Sequence, residues 1–171
     1  ILIGFRTALV TGQQPLPLGS CELTKCANPR VVRATPQLLK DLRTLKIVVF
    51  HPDDSDGRQL TQQLQRIGCQ VQAFWPPLPS LPECVDVIFL AVRPESVDTE
   101  FEWLNEEDTP IVIAVVTYDN PTIVEIVLRI SAQAVLPSPI RSSGLLSVLV
   151  VARGLHAELK TLRRHAQKLE A

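Results

Sequence analysis

The stretch LKIVVFHPDDSDGRQLTQQLQRIGCQVQAFWPP (45–77) decides the fold. LKIVVF (45–50) is an unbroken apolar run of strand length, suited to a strand buried on both faces. HPDDSDG follows as a turn in which Ser55 or Asp56 can cap a helix. Leu60, Leu64 and Ile67 then recur at i, i+4 and i+7, one stripe of a helix, and Gly68 ends it. CQVQAFW (69–75) alternates and reads as a second strand. A strand, a helix and a strand in this order imply parallel strands with a right-handed crossover.

The pattern repeats downstream with one interruption. Prolines at 76, 77, 79 and 82 bar a full helix from the next connection. VDVIFLAV (85–92) is a third buried strand, and RPESVDTEFEWLNEED (93–108) is expected to be an acidic helix with Val97, Phe101 and Leu104 on one side. PIVIAVV (110–116) is a fourth strand and TYDNP a turn. PTIVEIVLRIS (121–131) is a helix with Ile123, Val127 and Ile130 inward, and AQAVLPSP (132–139) is a short fifth strand. From about Ile140 a last helix begins, and no later residue stops it firmly. This order predicts an α/β fold: a flavodoxin-like, doubly wound, five-stranded parallel sheet followed by a long C-terminal helix. The expected division is an irregular appendage over 1–36, a globular domain over 37–140 and a long helix over 141–171.

Composition narrows the class. Apolar residues make up 46% and charged residues 20%, which suits a packed domain and is too apolar for a disordered chain. No apolar run approaches the roughly 18 residues of a membrane span, so no membrane partner is expected. The net charge of −1 is unevenly spread. Residues 1–36 carry four basic and one acidic residue, residues 37–150 eight and fifteen, and residues 151–171 five and two, giving +3, −7 and +3. The central part is a poor nucleic-acid surface, because phosphate contacts need clustered Lys and Arg. Cys21 and Cys26 have no second pair to complete a zinc site, and Cys69 and Cys84 read as small core residues. A reduced, cytoplasmic chain without metal or cofactor is expected. The break in composition near Val31 and Val32 suggests a natural start there, with an upstream stretch included in the translation.

The last helix carries an unbroken heptad seam. Val148, Ala152, Leu155, Leu159, Leu162, Ala166 and Leu169 are separated by steps of 4, 3, 4, 3, 4 and 3. Packing on the chain's own sheet accounts for the seam only to about Leu155. The remaining 16 residues extend about 24 Å further. The seam therefore predicts a homodimer through a coiled-coil stem.

The five β/α units also resemble response-regulator receiver domains. A working receiver holds Mg²⁺ with acidic residues after its first strand and takes the phosphoryl group on an Asp ending the third. It has a Thr or Ser after the fourth strand and a Lys before Pro after the fifth. Matched to that pattern, the switch positions hold His51, Ala91, Val116 and Ser138, the last before Pro139. Alanine offers no nucleophile for phosphoryl transfer. Asp53, Asp54 and Asp56 lie nearby and read as a solvated turn and helix N-terminus. No GxGxxG, P-loop or GxSxG motif is present, so an enzyme is not expected. A small flavodoxin-like enzyme would need convergent polar groups at the strand ends, where Ala91, Val116 and Ser138 stand. His51 follows a strand on the ligand side of such a sheet, whereas His156 and His165 read as surface residues. Trp75, before Pro76-Pro77, is either a partner-facing anchor or a core-edge residue under a rigid turn.

LKIVVFHP, QLQRIGCQVQAFWPPLP, VDVIF and TYDNP, with a long helix leading into AELKTLRRHAQKLEA, resemble the amidase-operon transcription antiterminator family over roughly Thr35–Ala171. The resemblance implies a pseudo-receiver joined by a coiled coil to a C-terminal ANTAR domain that binds leader RNA. That domain does not occur in this sequence, so none of its RNA-binding residues can be placed here. It also implies a cytoplasmic negative regulator resembling periplasmic binding proteins, which holds the antiterminator until a small inducer releases it. A non-catalytic docking and dimerisation adaptor is the alternative; an ANTAR domain downstream in the reading frame separates the two.

Overall fold

In the computed structural model of the chain, residues 40–96, 100–105 and 108–170 are described; the expected appendage over 1–36 lies outside them. Strands β1 (Lys46–Phe50), β2 (Gln70–Phe74), β3 (Val87–Val92), β4 (Ile111–Val116) and β5 (Ala134–Pro137) form one parallel sheet in the order β2-β1-β3-β4-β5. That is the doubly wound order expected from the sequence. The three central strands β1, β3 and β4 are the continuous apolar runs, because only they are covered on both faces. β2 stands at an edge and has no fully buried residue, with Gln70, Gln72 and Ala73 exposed and Val71 and Phe74 partly buried.

Helix α1 (Ser55–Ile67) and helix α3 (Leu145–Glu170) cover one face, where Leu60, Leu64, Leu145, Leu149 and Ala152 meet Ile47, Val49, Phe89, Ile113 and Val115. Helix α2 (Pro121–Arg129) covers part of the other face, over Val48, Phe50, Ile88, Leu90 and Val112. The proline-rich connection has no helix; Leu78, Leu81 and Val85 pack against the second core in its place. Local chemistry fixes the ends. Asp54 caps α1 by accepting from the Gly57 N–H at 2.9 Å, and Asn120 caps α2 by accepting from the Ile123 N–H at 2.9 Å, with Pro121 next. The cap of α1 is thus Asp54, one residue before Ser55 and two before Asp56, the expected caps. Gly68 closes α1 at φ 101°, a left-handed conformation open to glycine, and its N–H donates to the Gln65 carbonyl at 2.9 Å.

Four expectations need correction. The acidic stretch is not one helix: its described residues form two short 3-10 turns, Pro94–Ser96 and Glu102–Asn105. An α-helix there would align like charges at Asp98, Glu102 and Glu106, four residues apart. Phe101 is buried, as expected, and so is Trp103, with ring centroids 5.0 Å apart, while Leu104 is partly buried and Val97 lies outside the described residues. On α2 the inward residues are Ile123 and Ile126, with Val127 only partly buried and Ile130 buried at the cap. The last helix begins at Leu145, not near Ile140. Ile140 is buried in the core, and Gly144, at φ 94°, supplies the carbonyl that the Val148 N–H meets at 2.9 Å. Cys84 is exposed in a turn at φ 61°, while Cys69 is buried and its thiol is pushed up by burial.

Candidate functional site

The carboxyl ends of β1, β3, β4 and β5 open into one crevice of about 360 Å³, lined by His51, Asp54, Asp56, Val92, Arg93, Pro94, Glu95, Thr117, Tyr118 and Ser138. Two sequence-derived switch positions, His51 and Ser138, line it. Ala91 and Val116 do not; their neighbours Val92 and Thr117 do. A strand turns alternate side chains to opposite faces, so a one-residue difference in matching exchanges the wall for the core. Thr117, a hydroxyl at the end of β4, is therefore a crevice residue that the sequence reading passed over.

Two of the three carboxylates of the first turn, Asp54 and Asp56, are held by hydrogen bonds. Asp53 is exposed and pairs with Arg58 at 3.1 Å, as expected of a solvated turn. Asp54 and Asp56 are half-buried. Ser138 Oγ donates to Asp56, joining the end of β5 to the start of α1. His51 is 7% exposed, and its Nδ1 donates to the Pro52 carbonyl at 3.0 Å and lies 3.4 Å from Asp54. A carbonyl only accepts, so this contact places the ring hydrogen on Nδ1. Gly57 permits the close approach: a Cβ there would come within 2.9 Å of His51 Nδ1.

Arg93, one residue past β3, brings a guanidinium to within 3.7 Å of Asp54. Burial pushes the Asp54 carboxyl up, but the Gly57 N–H, then His51, Arg93 and the Asp56 N–H, outweigh it and hold the carboxyl below the ordinary Asp range. Among the described crevice residues Arg93 alone carries a permanent positive charge. No group of three or more potential metal ligands occurs among the described residues.

Trp75 is 44% exposed at the end of β2 and lies under the Arg93 guanidinium, 5.8 Å from ring centroid to charge. It also walls a cavity of about 450 Å³ between α1 and β2, with Phe74, Ala73, Val49, His51 and Thr61. The indole that lies in the core is Trp103, and its N–H is buried without a partner among the described residues.

Along α3 the seam residues part company. Ala152 is fully buried on the sheet and Val148 half-buried, whereas Leu155, Leu159, Leu162, Ala166 and Leu169 are exposed on the chain alone. Val151, 65% exposed, flanks them. No helix among the described residues is long and apolar enough to cross a membrane.

A family model described as AmiR, N-terminal, matches residues 45–153. The Aliphatic amidase regulator of Pseudomonas aeruginosa is 31% identical over 135 residues, which span 78% of this chain and 69% of that protein. Among solved structures, a response regulator receiver protein from Burkholderia phymatum superimposes with a TM-score of 0.52 at 21% identity, covering 65% of this chain and 96% of that one. A response regulator from Thermotoga maritima does so with 0.53 at 16%, covering 65% and 98%. At these identities the structural likeness speaks for the receiver fold alone. The family model and the relative carry the assignment: the chain belongs to the AmiR N-terminal family.

Proposed function

We propose that this chain is the regulatory pseudo-receiver and dimerisation portion of a transcription antiterminator, controlled by sequestration and not by phosphorylation. The likeness to a protein named as an amidase regulator and the receiver-like fold support a regulatory domain. The observation that carries the finer reading is the end of β3. Ala91 stands at the receiver's nucleophile position, so the crevice has no carboxylate on that strand, and Arg93, two residues further on, brings a guanidinium to its wall. A phosphoryl group arriving there would meet no Lys among the described residues that line the crevice; Ser138 stands before Pro139 instead and donates to Asp56.

In this reading residues 37–140 form the pseudo-receiver and residues 141–171 the start of the stem, with 1–36 as an appendage. Two copies join through Leu155, Leu159, Leu162 and Leu169. Leader RNA is bound in the cytoplasm through an ANTAR domain of the intact protein. A ligand-sensing partner, resembling a periplasmic binding protein, holds the regulator inactive, with Trp75 as a candidate contact. The exposed indole beside two prolines suits such an anchor because it offers a large rigid surface.

The test is incubation with acetyl phosphate and Mg²⁺, followed by intact-mass measurement. The expected result is no added phosphate. An acid-stable, base-labile adduct that disappears in Asp54→Asn or Asp56→Asn would overturn control without phosphorylation.

A further inference from the structure

Three strand ends meet at one side chain. Asp54 belongs to the loop after β1, Trp75 follows β2, and Arg93 follows β3. The Arg93 guanidinium lies 3.7 Å from the Asp54 carboxylate and 5.8 Å from the centre of the Trp75 ring. Arg suits both partners at once: its planar cation pairs with a carboxylate through its edge and with an aromatic ring through its face. Asp54 is itself held by the Gly57 N–H, so the guanidinium meets an anchored anion. Trp75, by contrast, stands at a sheet edge before Pro76-Pro77 with much of its ring in solvent. Its orientation therefore depends on whatever holds the ring from the domain side.

We propose that Arg93 is a positioning residue: a built-in cation that ties the switch crevice to the exposed Trp75 surface and presents that indole in one orientation to a protein partner. This deepens the sequestration reading and rests on it for the identity of the partner. Asp54 neutralises the guanidinium on one side, and Trp75 covers it on the other. Any group that displaced Arg93 from Asp54 would also release Trp75.

The experiment follows the two indole N–H resonances of the full chain by NMR, assigned with Trp75→Phe. Trp103, 1% exposed, serves as the internal reference for an intact fold. Arg93→Gln removes the charge and is expected to shift the Trp75 resonance, abolish Arg93–Trp75 cross-peaks and raise acrylamide quenching of Trp75, with Trp103 unmoved. Arg93→Lys keeps the charge and is expected to restore part of the shift. Asp54→Asn keeps a good helix cap but loses the anion, and is expected to move Trp75 in the same direction as Arg93→Gln. A Trp75 resonance indifferent to all three variants, while Trp103 reports an intact fold, would overturn the coupling. A phosphate adduct in the mass experiment together with a normal Arg93 response would overturn the sequestration reading and leave the coupling standing.

Discussion

The two halves of α3 share one heptad pattern and have opposite surroundings. Leu145, Leu149 and Ala152 are fully buried against β4 and β5, whereas Leu155, Leu162 and Leu169 are 42%, 62% and 89% exposed. The helix has 26 residues and is about 39 Å long, roughly twice the span of a five- or six-residue strand. A single sheet cannot cover it. An apolar stripe therefore serves an internal core in the first half, with Leu149 one residue off the seam, and the seam leucines of the second half stay exposed on the chain. Periodicity says which face is apolar; length says who can bury it.

The sharpest way to test that division is to truncate one leucine from each half. Leu149→Ala opens a cavity in the core and is expected to cost about 2–5 kcal/mol in urea unfolding. Leu162→Ala, measured at concentrations where the chain is monomeric, is expected to change stability by no more than about 0.5 kcal/mol. Equal costs would mean that the distal half packs within its own chain.

A second variant sharpens the distal half alone. Leu159 and Leu162 fall on adjacent layers of the seam, and burying each against a partner contributes about 1.5–3 kcal/mol before ordering costs. Replacing both with Glu places like charges at facing layers and is expected to give a folded monomer in sedimentation experiments, against a modest dimer for the parent. A monomeric parent at high concentration, or a dimeric variant, would break the stem reading.

The sheet was legible in the sequence because its central strands are continuous apolar runs and its helices carry stripes and caps. Leu60 and Leu64 behave as their spacing requires. The stretch after β3 was not legible. Its apolar residues fit a helical stripe, but the repulsion among its acidic groups and the burial of Trp103 beside Phe50 and Phe101 favour short turns. The crevice was half legible. His51 and Ser138 were found because each follows a strand. Thr117 and Arg93 were missed because placement at a strand end depends on a one-residue register that only pairing fixes, here Val92 beside Val116. The Asp56–Ser138 contact joins residues 82 positions apart and leaves no local signal.

The smallest expected effect lies where the two halves of α3 join. His156 is half-buried there; Lys160 and Arg163 face it from its own helix and Asp108 from the segment before β4. Burial lowers its pKa first, Lys160 and Arg163 lower it further, and Asp108 opposes them without reversing the result. The folded pKa is therefore below the unfolded value near 6.5. In that window the unfolded chain binds more protons, so stability is full above it and declines as pH falls through about 6.5 towards the folded pKa. The depressed carboxyls of Asp54 and Asp108 act in a separate, more acidic window, losing their contribution as pH falls through their folded values below 3.8. His156→Gln is expected to flatten the stability profile between about pH 7 and 5 while leaving the acid limb in place. The Leu159→Glu/Leu162→Glu monomer is expected to keep the neutral slope, since the groups that set it belong to one chain. Asp108 also forms a 2.6 Å ion pair with Lys160, and Asp108→Asn removes the one contribution that favours the charged ring. The neutral slope of that variant is expected to steepen; a slope that flattened would show that Lys160, once released from Asp108, no longer faces His156.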